Sequence, residues 1–305
     1  MPIEFSGVFP IVATPYNADE SLDLDSLDRL IRFLARLGVD GVTILGVLGE
    51  ANRMLDHERE QVIRTTIAAA GGLPVVVGTS HPGTRATREL SLLAHELGAA
   101  AVMITPSREP VPDDGRIFDY FQRVAEALPL PIVVQDHPAS TQVFMGIPLL
   151  ARLATEIPQV ACIKEEGVPT PVRIEALRRA TAERRLPILT GLGALYGIFD
   201  LRSGSDGFMT GFAFPEVLQA LVRLAREGRW PEAAALYRRF LPLIVFEQQP
   251  GVAVRKELLR HRGLIAHSQV RHPGASLAPG AARQLESLLK ETLPGVDLTQ
   301  PLVAY

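Results

Sequence analysis

Short, wholly apolar runs alternate along this chain with longer segments in which apolar residues recur every three or four positions. The runs are GVFPIVAT (7–14), GVTILG (41–46), LPVVVGTS (73–80), AAVMITP (100–106), LPIVVQ (130–135), VACIK (160–164), LPILTG (186–191) and GFMTG (207–211). None alternates apolar with polar, which is how strands covered on both faces read. Between them, LDLDSLDRLIRFLARLG (22–38) puts Leu27, Leu30, Ile31, Leu34 and Leu37 on one helical face, with Asp28, Arg29, Arg32 and Arg36 largely off it. HEREQVIRTTIAAAGG and RATRELSLLAHELG repeat the arrangement. LGVDGVTILG, LGAAAVMITP and SGSDGFMTG each place a glycine at a helix end shortly before a new strand, where a left-handed residue suits the chain.

Eight strands alternating with helices predict an α/β fold, a (β/α)8 TIM barrel. A doubly wound sheet is the alternative, and the even spacing of the eight units favours closure. After residue 215 the pattern is helical only, in PEVLQALVRLAREG, WPEAAALYRRFLPLIVFEQQ, GVAVRKELLRHRG and PGAARQLESLLKETL. This predicts a barrel over residues 1–226 and a small helical extension over 227–305, packed on the barrel. No linker is rich enough in Gly, Ser or Pro to mark an independent second domain.

Composition narrows the class. Hydrophobic residues make up 47% of the 305 positions and charged residues 21%, which suits a globular protein with a full core. A net charge of −3 gives no reason to expect a nucleic-acid or membrane partner. The single cysteine, Cys162, leaves no intrachain disulfide or thiolate cluster. The opening MPIEFSGVFPIV lacks the basic and apolar regions of a signal peptide, and no run approaches ~18 apolar residues. The expected location is cytoplasmic.

In such barrels the chemistry lies at the C-terminal ends of the strands. Those tips carry Thr14, residues 47–50, 79–81, 107–109, 135–137 and 164–166, then Gly191 and Thr210. Lys164 ends the apolar strand VACI, which should carry its amine into the barrel mouth. Burial disfavours an ammonium, and a lysine that is neutral part of the time attacks ketones to form a Schiff base. The alternative is a lysine paired structurally with Glu165 or Glu166. GVLGE (46–50) is either an ordinary tight turn or a set of converging amides that seats a carboxylate. His81 and His137 are acids, bases or hydrogen-bond donors in one reading and loop residues in the other. Asp136, just before Pro138, can accept from a loop amide and be architectural. HExxH and other metal-ligand spacings are absent, so no metal is expected.

The stretches GVFPIVATPY, GVLGE, VVVGTS, VACIKEEG and GFMTGFAFPE together resemble the dihydrodipicolinate synthase and N-acetylneuraminate lyase superfamily over nearly the whole chain. The resemblance implies that Lys164 forms a Schiff base with a 2-keto acid and that no further cofactor is needed. It also implies a homo-oligomer, a tetramer or a dimer. Several positions depart from the pattern. Val47 and Leu48 stand where the family has hydroxyl residues, leaving backbone amides to bind a carboxylate. Gln135 stands where a proton-shuttling tyrosine is usual, and an amide cannot take that role. Ser140 replaces the arginine of the lysine-pathway synthases, and SREPVPDDG (107–115) lacks the usual tyrosines.

The L-2-keto-3-deoxyarabonate dehydratase branch is similar in more places. It shares the Gln-Asp-x-Pro-Ala-Ser run, the pair Ser80 and His81, Met209-Thr210-Gly211 and Arg271-His272-Pro273. It lacks the complete Gly-x-x-Gly-Glu loop. The resemblance thus implies catalytic roles for Lys164 and Gln135 and substrate contacts from Val47, Leu48, Ser80, His81, His137 and Thr210. The implied activity is dehydration of a 2-keto-3-deoxy sugar acid. Pyruvate-dependent aldol cleavage is the alternative, and a non-catalytic keto-acid-binding paralogue is a second.

Overall fold

The computed structural model describes residues 3–110, 113–249 and 251–302. Val111 and Pro112, within the tyrosine-free stretch after the fourth strand, lie outside the described residues. Eight strands and twelve α-helices follow in order: β1 (Gly7–Val8), α1 (Leu24–Leu37), β2 (Val42–Ile44), α2 (Asp56–Ala70), β3 (Val75–Gly78), α3 (Thr84–Glu96), β4 (Ala101–Ile104) and α4 (Asp114–Ala125). Next come β5 (Ile132–Asp136), α5 (Pro138–Thr141), α6 (Ile147–Glu156), β6 (Val160–Glu165), α7 (Thr170–Ala180), β7 (Ile188–Thr190), α8 (Gly197–Arg202) and β8 (Gly207–Phe208). The chain then runs through α9 (Pro215–Arg226), α10 (Trp230–Phe246), α11 (Val252–His261) and α12 (Pro279–Thr292).

All strand pairs are parallel, in the order β1-β8-β7-β6-β5-β4-β3-β2. The chain beyond β1 closes the ring. Ile11 bridges Thr43, Thr43 N donates to Pro10 O at 2.9 Å, and Val12 N donates to Thr43 O at 2.8 Å. This is a (β/α)8 barrel, with first and last strands shorter than the apolar runs that contain them.

Successive strand residues face opposite sides, and both sides are covered. Phe9, Val76, Ala101, Met103, Val133, Cys162, Leu189 and Met209 fill the barrel interior. Their neighbours Val75, Val77, Val102, Ile132, Val134 and Ile163 pack outward under the helices. Continuous apolar strands follow from that double burial. Cys162 belongs to the interior layer, where burial pushes its thiol up and keeps it unreactive.

Helix ends obey local chemistry. Asp23 caps α1 by accepting from Ser26 N at 2.9 Å, and Gly38 ends it in the left-handed conformation. Gly207 sits so close to β1 that a Cβ there would meet Gly7 O at 1.9 Å. The last helices share a buried cluster with the barrel, in which Val8 and Phe208 join Phe240, Leu258 and Leu285. No helix among the described residues is long and apolar enough to cross a membrane.

Candidate active site

Strands β5 and β6 pair with Gln135 opposite Lys164 and Asp136 opposite Glu165. Alternation then decides which side chains meet. Cys162 faces the interior, so Lys164 and Glu166 turn towards the barrel mouth while Glu165 turns out to the helices. Lys164 is 4% exposed. Its Nζ lies 3.0 Å from Glu166 Oε2, and Gln135 Nε2 donates to that same oxygen at 2.7 Å. Leu192 N donates to Glu166 Oε1 at 3.1 Å. Burial alone would raise the Glu166 carboxyl. The Lys164 ammonium, His137, the Gln135 amide and the Leu192 amide together outweigh burial and hold it below its ordinary value.

The outward pair is separate. Arg173 of α7 donates to Glu165 Oε1 at 3.0 Å, to Asp136 Oδ2 at 2.5 Å and to Met145 O at 3.0 Å. Asp136 therefore takes a guanidinium rather than the loop amide expected of it, and Glu165 is not the partner of Lys164. One guanidinium serves two buried carboxyls. Burial raises both, and their mutual repulsion adds to the rise in Glu165.

A cavity of about 140 Å³ opens at this end of the barrel. It brings together Lys164, Gln135, His137, Val47, Leu48 and Thr210. Thr210 is fixed there by accepting from Gly193 N at 2.7 Å. Ser80 and His81 line no part of this cavity. Ser80 Oγ accepts from Thr105 N at 2.9 Å and ties the β3 tip to β4. His81 Nδ1 accepts from Gly83 N at 2.9 Å, which bends its ring back to the start of α3.

Other lining residues were harder to foresee. Glu166 entered only as a possible structural partner of the lysine. Glu247 and Arg255 come from the end of α10 and from α11, and both are buried. Arg255 Nε donates to Glu247 Oε2 at 2.6 Å, and its Nη2 donates to Gly211 O. Glu247 Oε1 accepts from Ala213 N at 3.1 Å. A Cβ at Gly211 would fall 1.6 Å from Arg255 Nη1 and 2.6 Å from Leu48 Cδ1, so both side chains would have to shift. The one available signal was a pair of cations, Arg255 and Lys256, within the otherwise apolar opening of a helix.

The glutamate of GVLGE points away from the cavity. Glu50 is fully buried and accepts from Lys256 Nζ at 2.5 Å, Arg53 Nη1 at 2.9 Å and Arg271 N at 3.0 Å. Arg271 also pairs with Glu58 at 2.7 Å, and its guanidinium and the Lys256 ammonium both lie 4.3 Å from the Tyr16 ring centroid. This cluster fastens the loop after β2 to the C-terminal helices and leaves Val47 and Leu48 on the cavity side. The Arg-His-Pro segment is thus part of a clasp. Among the described residues, no group of three or more His, Cys, Asp or Glu is placed to hold a metal ion.

Residues 4–292 match the dihydrodipicolinate synthetase family. The chain is 37% identical to an L-2-keto-3-deoxyarabonate dehydratase of Azospirillum brasilense, over 94% of each chain. It is 32% identical to a 4-hydroxy-tetrahydrodipicolinate synthase of Methanothrix thermoacetophila, over 79% of this chain and 81% of that one. The crystal structure of a dihydrodipicolinate synthase from Rhodopseudomonas palustris superposes with a TM-score of 0.91 at 37% identity, covering 95% of this chain and 99% of the other. With the barrel, the buried strand-six lysine and a match along almost its whole length, this chain belongs to the dihydrodipicolinate synthetase family, a family of lyases.

Proposed function

We propose that this protein is a Schiff-base lyase that dehydrates a 2-keto-3-deoxy sugar acid. The observation that carries the reading is the group Lys164, Glu166 and Gln135, in which a buried carboxylate stands where proton transfer is needed and an amide stands in the tyrosine's place. Glu166, 3.0 Å from the amine, accepts a proton from the Lys164 ammonium. The freed amine attacks C2 of the keto acid; Glu166 gives its proton to the carbonyl oxygen, then carries a second proton from the new C–N nitrogen to that oxygen, which departs as water. The iminium left behind withdraws electrons from C3. Glu166 then takes a C3 proton, the C4 hydroxyl departs, and the same proton completes a second water. A proton then moves from C5 to C3, the resulting C5 enol becomes a carbonyl, and hydrolysis of the iminium releases a dicarbonyl acid. Gln135 holds the carboxylate oriented through each exchange, and the backbone of Val47 and Leu48 seats the C1 carboxylate.

Aldol cleavage needs a base for the C4 hydroxyl, the task of the phenol that this site lacks. The dehydratase relative supports the same choice. Borohydride reduction in the presence of pyruvate should add one pyruvyl mass to wild type and none to Lys164→Ala. Turnover of a panel of 2-keto-3-deoxy acids should give a dicarbonyl acid; pyruvate appearing with an aldehyde would overturn dehydration.

A further inference from the structure

The imidazole of His137 lines the same cavity as Lys164 and Glu166 and interacts electrostatically with both. Its Nδ1 lies 2.6 Å from Ser140 Oγ, and the same hydroxyl lies 3.3 Å from His137 O. One hydroxyl proton serves one acceptor at a time, and the shorter contact has the length of an O–H donor rather than an N–H donor. We take Ser140 to donate to Nδ1, an assignment that leaves the ring proton on Nε2. Ser140 is exposed while His137 lines the cavity, which leaves Nε2 as the ring nitrogen free to meet a bound substrate. Burial holds the imidazole below its ordinary value; Glu166 opposes that effect and Lys164 adds to it. Burial thus favours the neutral ring.

We propose that His137 donates a hydrogen bond from Nε2 to the C4 oxygen of the substrate as that oxygen leaves. The inference rests on the dehydratase reading above and adds a group that reading lacks. A neutral imidazole cannot surrender its proton, so the ring steadies the developing hydroxide while the proton from C3, held by Glu166, completes the water. Ser140 is a positioning residue, since it fixes the tautomer.

The two halves of the reaction can be read separately. Pyruvate has no C4, so exchange of its methyl protons in D2O needs Lys164 and Glu166 but not His137. His137→Phe should lower that exchange much less than dehydration, through the lost interaction with Glu166, and lower kcat on a 2-keto-3-deoxypentonate by about 10²–10³-fold, as for loss of one donor to a developing oxyanion. His137→Gln, which retains an N–H, should recover part of the loss. Ser140→Ala should cost up to about tenfold in kcat, the worth of one hydrogen bond. Unchanged dehydration in His137→Phe would overturn the assignment. So would an equal fall in exchange and dehydration, because that is the mark of a structural role. Absence of exchange in wild type would instead sink the lyase reading itself.

Discussion

Gln135 and Lys164 stand side by side on β5 and β6 and reach one oxygen, Glu166 Oε2, at 2.7 Å and 3.0 Å. The amide donates to it and the ammonium pairs with it as a counter-charge, so the carboxylate is held ionised and aimed between the amine and the substrate. A phenol in place of Gln135 would be a proton carrier; an amide is only a brace. Proton transfer therefore falls to the carboxylate.

Replacing Glu166 by Gln tests that division of labour. The variant keeps the shape of the site and removes the negative charge that stabilises the Lys164 ammonium. Covalent adduct with pyruvate should still accumulate after borohydride addition, measured by intact mass. Exchange of C3 protons and dehydration should both fall by about 10²–10⁴-fold, the usual worth of a placed acid–base group. Near-normal exchange would show that another residue removes the proton.

The pair behind the site predicts a pH dependence of stability. Burial raises Asp136 to about 6 and Glu165 to about 7, from ordinary values of 3.8 and 4.5. Both groups bind a proton more tightly in the folded state than in the unfolded one. Their contribution to stability is fully present below about pH 4, declines as pH rises to about 7 and stays lost above it. Glu165→Gln mimics the protonated form. The variant should match wild type in thermal unfolding at about pH 4 and surpass it at pH 8, compared at the same ionic strength. A wild type that gains on the variant as pH rises would contradict the assignment.

Glu50 separates architecture from chemistry in the GVLGE loop. Glu50→Gln leaves the Lys256 ammonium buried beside Arg53 and Arg271 with no counter-charge. Breaking a buried pair from one side costs roughly 3–5 kcal/mol, which should show directly in chemical denaturation. The folded fraction should still form the pyruvate adduct at Lys164, because Glu50 faces away from the cavity. Loss of adduct in protein shown to be folded would return Glu50 to the substrate site.

The barrel was legible because both faces of every strand are buried, which writes each strand as an uninterrupted apolar run. Lys164 and Gln135 were legible for the same reason, as polar residues ending such runs. The choice between Glu165 and Glu166 turned on one residue of extended backbone. Glu166 N donates to Asp136 O at 3.0 Å, which carries the in–out alternation one step past Lys164 and puts Glu166 inside. Ser80 and His81 also end an apolar run, yet local bonds to Thr105 and Gly83 take them out of the cavity, and a strand pattern holds no record of such loop geometry. Arg255 was harder still. It reaches the site from a helix remote in sequence, and only the absence of a side chain at Gly211 makes room for it.

That last relationship gives a prediction whose two parts check each other. Gly211→Ala places a Cβ where Arg255 Nη1 now lies, so the guanidinium must leave. Its departure breaks the bonds to Glu247 and to Gly211 O and leaves the Glu247 carboxyl buried with the Ala213 amide. The expected loss is roughly 3–5 kcal/mol, with a matching loss of turnover because Arg255, Glu247 and Gly211 all border the cavity. Arg255→Met should cost a similar amount by the same route. If the clash with Arg255 is the reason for the glycine, the two losses cannot add, since removing the guanidinium leaves only the tip of Leu48, 2.6 Å from the added Cβ, to give way. In the Arg255→Met background, Gly211→Ala should then cost less than about 1 kcal/mol, a coupling well above the ~0.5 kcal/mol expected of independent sites. Additive losses in denaturant unfolding would mean that Gly211 is required for its backbone and not for the room it gives Arg255.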